Sequence, residues 1–164
     1  MTDMTFERAD SGDIAKLTAL RTAYIKEDSG ELPPGVMKTI ADALPAYFEK
    51  HLDKDLFAFV CREERGTEGD IIAGCCLLHV SEKPPGASFP TGRVGTVLNV
   101  YTVPEYRKKG IARKLMLMLL ARARELRLDF VELKATEAGY LLYRSLGFED
   151  ARSEYREMKY VIYG

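Results

Sequence analysis

The sequence predicts an α/β fold: a mixed, mostly antiparallel central sheet flanked by helices, with one parallel β-α-β unit. Three observations carry this expectation. Two stretches of helical periodicity, Ile14 to Glu27 and Val36 to Leu52, precede the long apolar runs. Two strand-like runs, Leu56 to Cys61 and Ile71 to Val80, are joined by a polar, glycine-containing turn, which makes them antiparallel. A third run, Val94 to Val103, leads into an apolar helix and then a further strand, which makes that pair parallel with a right-handed crossover.

In chain order, Thr5 to Arg8 reads as a short first strand. Asp10, Ser11 or Asp13 caps the helix that follows, whose apolar positions Ile14, Leu17, Leu20, Tyr24 and Ile25 recur at helical spacing. The run from Ser29 to Gly35 breaks it, being rich in Gly and Pro. The second helix places Val36, Ile40, Leu44, Tyr47 and Phe48 on one face, and Pro45 inside it predicts a kink or a division. Glu63 to Gly69 is the hairpin turn, and Ser81 to Gly92, with its Pro-Pro-Gly and Pro-Thr-Gly segments, is a loop. Gly110 to Arg127 is a helix that is nearly all apolar between Leu115 and Ala121, so it is expected to lie buried against the sheet. Asp129 to Ala135 is a strand, and Glu137 to Leu146 is a short helix stopped by Gly147. Met158 to Ile162 reads as a last strand. No repeat, low-complexity segment or linker interrupts the chain, which predicts one domain over residues 1–164.

Composition excludes several functions. With 46% hydrophobic and 30% charged residues, the 164-residue chain reads as soluble and globular. No apolar run approaches the ~20 residues that span a bilayer, and the first residues lack the basic-then-apolar order of a signal peptide. A net charge of −1 gives no general attraction to nucleic acid or to anionic lipid. Three cysteines, Cys61, Cys75 and Cys76, with two adjacent, read as free thiols in a reducing compartment, so a cytoplasmic location is expected.

Chemistry concentrates where the third strand ends. Pro104 cannot donate to a ladder, so the strand stops or leaves the sheet there. Gly110 permits close backbone approach, and Ala112 is small. The first turn of a helix leaves about four amides without intrahelical partners. Those from Lys108 to Arg113 can point at phosphate oxygens at the positive end of the helix dipole. Arg107, Lys108, Lys109, Arg113 and Lys114 add local positive charge. The plain alternative is a solvated basic turn that only caps a helix.

The segment Val103-Pro-Glu-Tyr-Arg-Lys-Lys-Gly-Ile-Ala112 resembles the acetyl-CoA-binding motif of the GNAT superfamily of acyl-CoA N-acyltransferases, Arg/Gln-x-x-Gly-x-Gly/Ala after a strand. Downstream, Leu141-Leu-Tyr-Arg-Ser-Leu-Gly-Phe148 resembles that family's Leu-Tyr-x-x-x-Gly-Phe signature, and the element order matches over essentially the whole chain. The resemblance implies acetyl-CoA as co-substrate. The backbone of Tyr101, Thr102 and Val103 would pair with the pantetheine arm, beside a bulge that splays this strand from the next. The amides of Lys108, Lys109, Gly110, Ile111, Ala112 and Arg113, after Arg107, would hold the pyrophosphate. Tyr143 aligns with the tyrosine that protonates the departing thiolate. Thr136 stands where many members carry a cofactor-binding Asn, so the sequence departs from the pattern there.

An amine held in line can attack the thioester directly, with positioning supplying much of the barrier reduction. An amide near Tyr101 suits the developing oxyanion, and the Tyr143 hydroxyl suits the leaving thiolate. Tyr143 can equally be a core residue whose hydroxyl reaches water. The strand from Val94 to Val103 contains no carboxylate, so the proton acceptor lies elsewhere. Asn99 can orient a water, while Glu27, Asp28 and Glu137 are base candidates that can equally be solvated surface. Cys75 and His79 share a strand face but stand roughly 13 Å apart at about 3.3 Å per residue, too far for a relay. No metal ligand set is expected, because His51 and His79 form no cluster with the cysteines. Arg122, Arg124 and Arg127 read as a solvated face.

The expected reaction is acetyl transfer to an amine, a small-molecule amine being favoured. Two rivals stand beside it: a non-catalytic acyl-CoA-binding module of the same fold, and an acetyltransferase acting on a protein N-terminus or aminoacyl-tRNA. Nucleic acid and membrane partners are not expected, and a homodimer is open.

Overall fold

The computed structural model describes residues 3–163. They divide into two compact units, one up to Lys134 and one from Ala135 onward.

The first unit is built on a five-stranded sheet in chain order: β1 (Met4–Arg8), β2 (Leu56–Glu64), β3 (Asp70–Glu82), β4 (Arg93–Thr102) and β5 (Val131–Glu132). The first three pairings are antiparallel and β4–β5 is parallel. The mixed sheet with its β-α-β unit is therefore as the sequence predicts. Helices α1 (Ile14–Ser29) and α2 (Val36–His51) lie against one face and α3 (Ile111–Glu125) against the other.

Strand alternation divides the core between those faces. Leu56, Ala58 and Val60 of β2, with Cys75 and Leu77 of β3, meet Leu17 and Leu20 of α1 and Phe48 of α2. Phe57, Phe59 and Cys61, with Cys76 and Leu78, take the opposite face, where α3 buries Ile111, Leu115, Met116 and Leu119. Burial pushes the Cys75 thiol up to about 12 and raises Cys61 and Cys76 as well, so all three are protonated core residues at neutral pH.

The start of α1 is fixed by charge as well as by apolar packing. Asp10 caps a short 3-10 turn, Ser11–Asp13, in a reciprocal box with Asp13. Arg62 of β2 reaches Asp13 at 2.8 Å, Asp70 at 2.6 Å and Glu7 at 2.6 Å. Its hydrogen bonds hold the Asp13 carboxyl below the usual range. The α2 helix runs continuously through Pro45 rather than dividing there.

In the second unit, α4 (Glu137–Ser145) is capped by the Thr136 hydroxyl, which accepts from the Gly139 amide at 3.1 Å. Gly147, at φ 101°, ends the turn that follows. Two expectations need correction. The strand expected over Asp129–Ala135 is only Val131–Glu132. The last strand expected at Met158–Ile162 is irregular chain, with Met158 and Tyr160 exposed and no ladder partner for them among the described residues. The residues are strand-like in composition, but composition alone supplies no hydrogen-bonding neighbour.

Candidate functional site

The site of the first unit starts from a defect in β4. Leu98 pairs with Leu77 and Tyr101 with Cys75, so Asn99 and Val100 together oppose Cys76 alone. This is a β-bulge. Asn99 takes φ 54° to make it, a left-handed conformation that Asn tolerates better than most residues. The buried Asn99 side chain donates to Cys75 Sγ at 3.4 Å and accepts from Arg21 at 3.4 Å.

On its other side, β4 pairs with β5 only at Gly95 and Thr96. From Val97 to Thr102 that edge has no strand partner among the described residues. A row of amides and carbonyls is thereby offered to an extended ligand. The Gly95 end is closed by packing: a Cβ there would stand 2.8 Å from Leu78 and 2.9 Å from Leu128.

Beyond β4 the chain makes a 3-10 turn, Pro104–Tyr106, and enters α3 through Gly110 at φ 78°. A Cβ on Gly110 would meet nothing within 4 Å, so the glycine is required for its backbone angle, with space left over it. Lys108, at φ 64°, makes the turn tighter still. The first-turn amides of α3, Ile111 and Ala112 among them, have no intrahelical acceptor. The turn and edge together fit a ligand with an extended amide arm and a diphosphate.

The charged residues of the turn divide in a way the sequence did not reveal. Arg107 donates through Nε to the Thr102 carbonyl at 2.8 Å and through Nη2 to Glu27 at 2.7 Å, with its guanidinium 5.5 Å from the Tyr101 ring centroid. The same hydrogen bond lowers the Glu27 pKa, which weakens Glu27 as a base. Lys109 lies over the Tyr106 ring and Lys114 over Phe6.

Tyr106 is buried and its hydroxyl donates to Glu63, while Arg65 reaches that hydroxyl at 2.7 Å. The β2–β3 hairpin thus anchors the turn before α3. Residues 43 positions apart meet here, and no local pattern in the sequence marks them.

On the α1–α2 side of β4, Arg21 of α1 reaches the bulge at Asn99, with the Tyr24 ring 5.8 Å from its guanidinium and Tyr47 of α2 within the field of its charge. Leu98 is 37% exposed, unusual for a central strand residue, so the helices leave β4 uncovered at Leu98 while Asn99 is buried and Tyr101 packs on the core. Burial raises both phenols, leaving them protonated at neutral pH. His51 Nδ1 lies 2.7 Å from Asp55, and His79 Nε2 lies 3.8 Å from its other oxygen. The sequence does not mark this trio, because His51 ends α2, Asp55 lies in the turn before β2 and His79 is on β3. No three His, Cys, Asp or Glu side chains among the described residues form a group that could hold a metal ion.

In the second unit, Tyr143 packs over Gly139, where a Cβ would stand 2.8 Å from its ring, and meets Phe148 edge-on at 6.0 Å. Thr136 is engaged as the cap of α4.

The model of the acetyltransferase (GNAT) family matches residues 18–148. No curated protein matches the chain significantly. A "predicted acetyltransferase with acetyl-CoA" from Clostridium acetobutylicum is 26% identical, with a TM-score of 0.79 and 96% of each chain covered. A GCN5-related N-acetyltransferase from Ralstonia eutropha JMP134 is also 26% identical, with a TM-score of 0.72, covering 95% of this chain and 99% of that one. At 14% identity, an aminoglycoside N-acetyltransferase in complex with CoA shares the fold, with a TM-score of 0.68 over 97% of this chain and 96% of that one.

Proposed function

Because the chain belongs to the GNAT family of acetyltransferases, we propose that it transfers the acetyl group of acetyl-CoA to a small-molecule amine by direct attack in a ternary complex. One observation carries the reading. The edge of β4 opens after Thr96 and runs into the left-handed Gly110 turn at the start of α3.

Acetyl-CoA supplies an acetyl group already activated as a thioester. The backbone of Tyr101 to Val103 holds the pantetheine arm as an added strand. The amides from Lys108 to Arg113 hold the pyrophosphate, with the α3 dipole behind them. An amide of β4 near Tyr101 stabilises negative charge on the carbonyl oxygen. The Tyr143 hydroxyl gives its proton to the departing sulfur. β4 carries no carboxylate and Glu27 of α1 is engaged by Arg107, so the amine's proton passes to water beside the bulge. Holding amine and thioester in line is worth up to about 7–11 kcal/mol, so a site without a strong base still has a large source of rate.

Calorimetry with acetyl-CoA tests the reading first. Saturable binding with one site per chain is expected, and no heat at millimolar ligand defeats it. A panel of amines read by release of free CoA thiol then tests transfer. Binding with no thiol release from any amine defeats the enzymatic part alone.

A further inference from the structure

Beside the bulge of β4, α1 places a charge without a counter-charge. Arg8, Arg62, Arg65, Arg107 and Arg122 are each paired with a carboxylate. Arg21 has no such pair among the described residues, although it is half-buried. One long hydrogen bond to Asn99 Oδ1, at 3.4 Å, and the Tyr24 ring, 5.8 Å from Cζ, are its contacts. A guanidinium carries five N–H donors in a planar fork. None of the Arg21 nitrogens is sealed from water without a partner, so its remaining donors stand open to solvent and to a ligand. Two parallel bonds to a carboxylate match that fork best.

Placement makes the charge informative. Arg21 touches Asn99, the bulge residue at which the β4 edge is already open, so an anion on Arg21 lies beside the bulge. The surroundings are apolar and aromatic: Tyr24 is half-buried, and Tyr47 and Leu98 are each 37% exposed. The nearby acid Asp55 is engaged by His51 and His79. Burial pushes both the Cys75 thiol and the Tyr47 phenol up, and the Arg21 charge opposes both shifts, which puts its field at this same patch.

Resting on the acetyl-transfer reading above, we propose that the acceptor is an α- or β-amino acid whose carboxylate is bound by Arg21 and whose apolar side chain lies on Tyr24, Tyr47 and Leu98. The bond formed joins the amine nitrogen to the acetyl carbon, and the bond broken is carbon to sulfur. The amine's proton leaves to water, and the sulfur departs as CoA thiol. The products are an N-acetyl amino acid and CoA.

The test compares phenylalanine and leucine with phenethylamine and isoamylamine, the same amines without the carboxylate, and with the two amino acid amides. Thiol release is read for the parent protein and for Arg21→Gln and Arg21→Lys, with CoA affinity as the folding control. In the parent, kcat/KM for the amino acids is expected to exceed that for the decarboxylated amines and amides by about 100-fold, the size of a charged bidentate contact. Arg21→Gln should erase the preference by raising KM for the amino acids far more than it changes KM for the simple amines, so that the ratio of the two kcat/KM values falls to near one. Arg21→Lys should restore part of it. Equal rates for acids, amides and simple amines, or a preference that survives Arg21→Gln, overturns the proposal while leaving acetyl transfer intact. Where no amine of any kind releases thiol, the transfer reading fails. Calorimetry of phenylalanine against the CoA-loaded protein then decides the acceptor site by itself: binding lost in Arg21→Gln supports it, and no binding to the parent refutes it.

Discussion

The two halves of β4 differ in one property. Residues Arg93 to Thr96 have strand or chain neighbours on both sides, whereas Val97 to Thr102 are laddered only to β3. In the closed half, Gly95 donates to the Phe130 carbonyl at 2.9 Å and gives up its side chain so that Leu78, Leu128 and Val131 can meet. In the open half, Asn99 accepts a left-handed backbone that inserts an extra residue and turns the strand. One half is optimised for packing. The other leaves packing and pairing unfinished, as expected of a segment that binds.

The strongest way to break the comparison is to fill the closed half. Gly95→Val places two methyl groups where a single Cβ already comes within 2.8 Å of Leu78, which is fully buried. Overpacking of this kind costs about 2–3 kcal/mol, which for a chain of this size lowers Tm by about 5–10 °C. Thermal unfolding followed by circular dichroism measures it. A Tm within 1 °C of the parent, on a scale of about 2–4 °C per kcal/mol, shows that the closed half has slack.

Repair of the bulge comes next. Asn99→Val puts a β-branched residue at φ 54°, where an L-residue pays about 1–2 kcal/mol. The strand is expected to relieve this by shifting register, misplacing the site by about 1 Å and lowering kcat about 100-fold. Asn99→Gly keeps the angle and loses only the side-chain bonds to Cys75 and Arg21, so kcat should stay within about tenfold. Equal losses in both variants would assign the effect to the side chain and not to the bulge.

The contrast between the halves also explains what the sequence could tell. Strand-like runs and helical spacing revealed β1 to β4 and α1 to α3, because those patterns record which side chains are buried: β2 and β3 are covered on both faces and read as continuous apolar runs. The Gly110 turn was legible for a different reason: a glycine between lysines and an apolar helix fits a plain capping turn as well as an anion site, and its resemblance to the family motif favoured the second. The bulge was expected from the family resemblance alone and its position was hidden, since Asn99 sits in an unbroken strand-like run and nothing local separates a bulge from a ladder position. Met158–Ile162 shows the converse, a strand-like composition without a strand. Arg21 and Tyr106 were missed because their meaning lies in partners far along the chain, at Asn99 and Glu63.

A smaller effect is expected where the open half ends. Gly110→Ala meets no atom within 4 Å, so strain at φ 78° is the whole cost, about 1 kcal/mol. The turn should relax toward right-handed geometry and re-aim the amides ahead of α3. CoA affinity by calorimetry should fall about fivefold, since about 1.4 kcal/mol is tenfold, with kcat at saturation nearly unchanged. Unaltered affinity would separate the turn from the diphosphate.

The smallest effect distinguishes a latch from a base. Glu27 is half-exposed, and its ion pair with Arg107 is worth at most about 1 kcal/mol. The pair holds its pKa below the ordinary 4.5. A carboxyl depressed in the folded state stabilises that state above about pH 4.5, and the contribution is lost as pH falls through the lowered value. Glu27 is therefore ionised throughout the neutral range and cannot generate a rising limb of kcat/KM there. Glu27→Gln should leave the rate–pH profile above pH 5 superimposable on the parent's, with at most a twofold change in CoA affinity as Arg107 is released from its partner. A profile that loses its rising limb in Glu27→Gln would return Glu27 to the role of proton acceptor, supplied by α1 and not by β4.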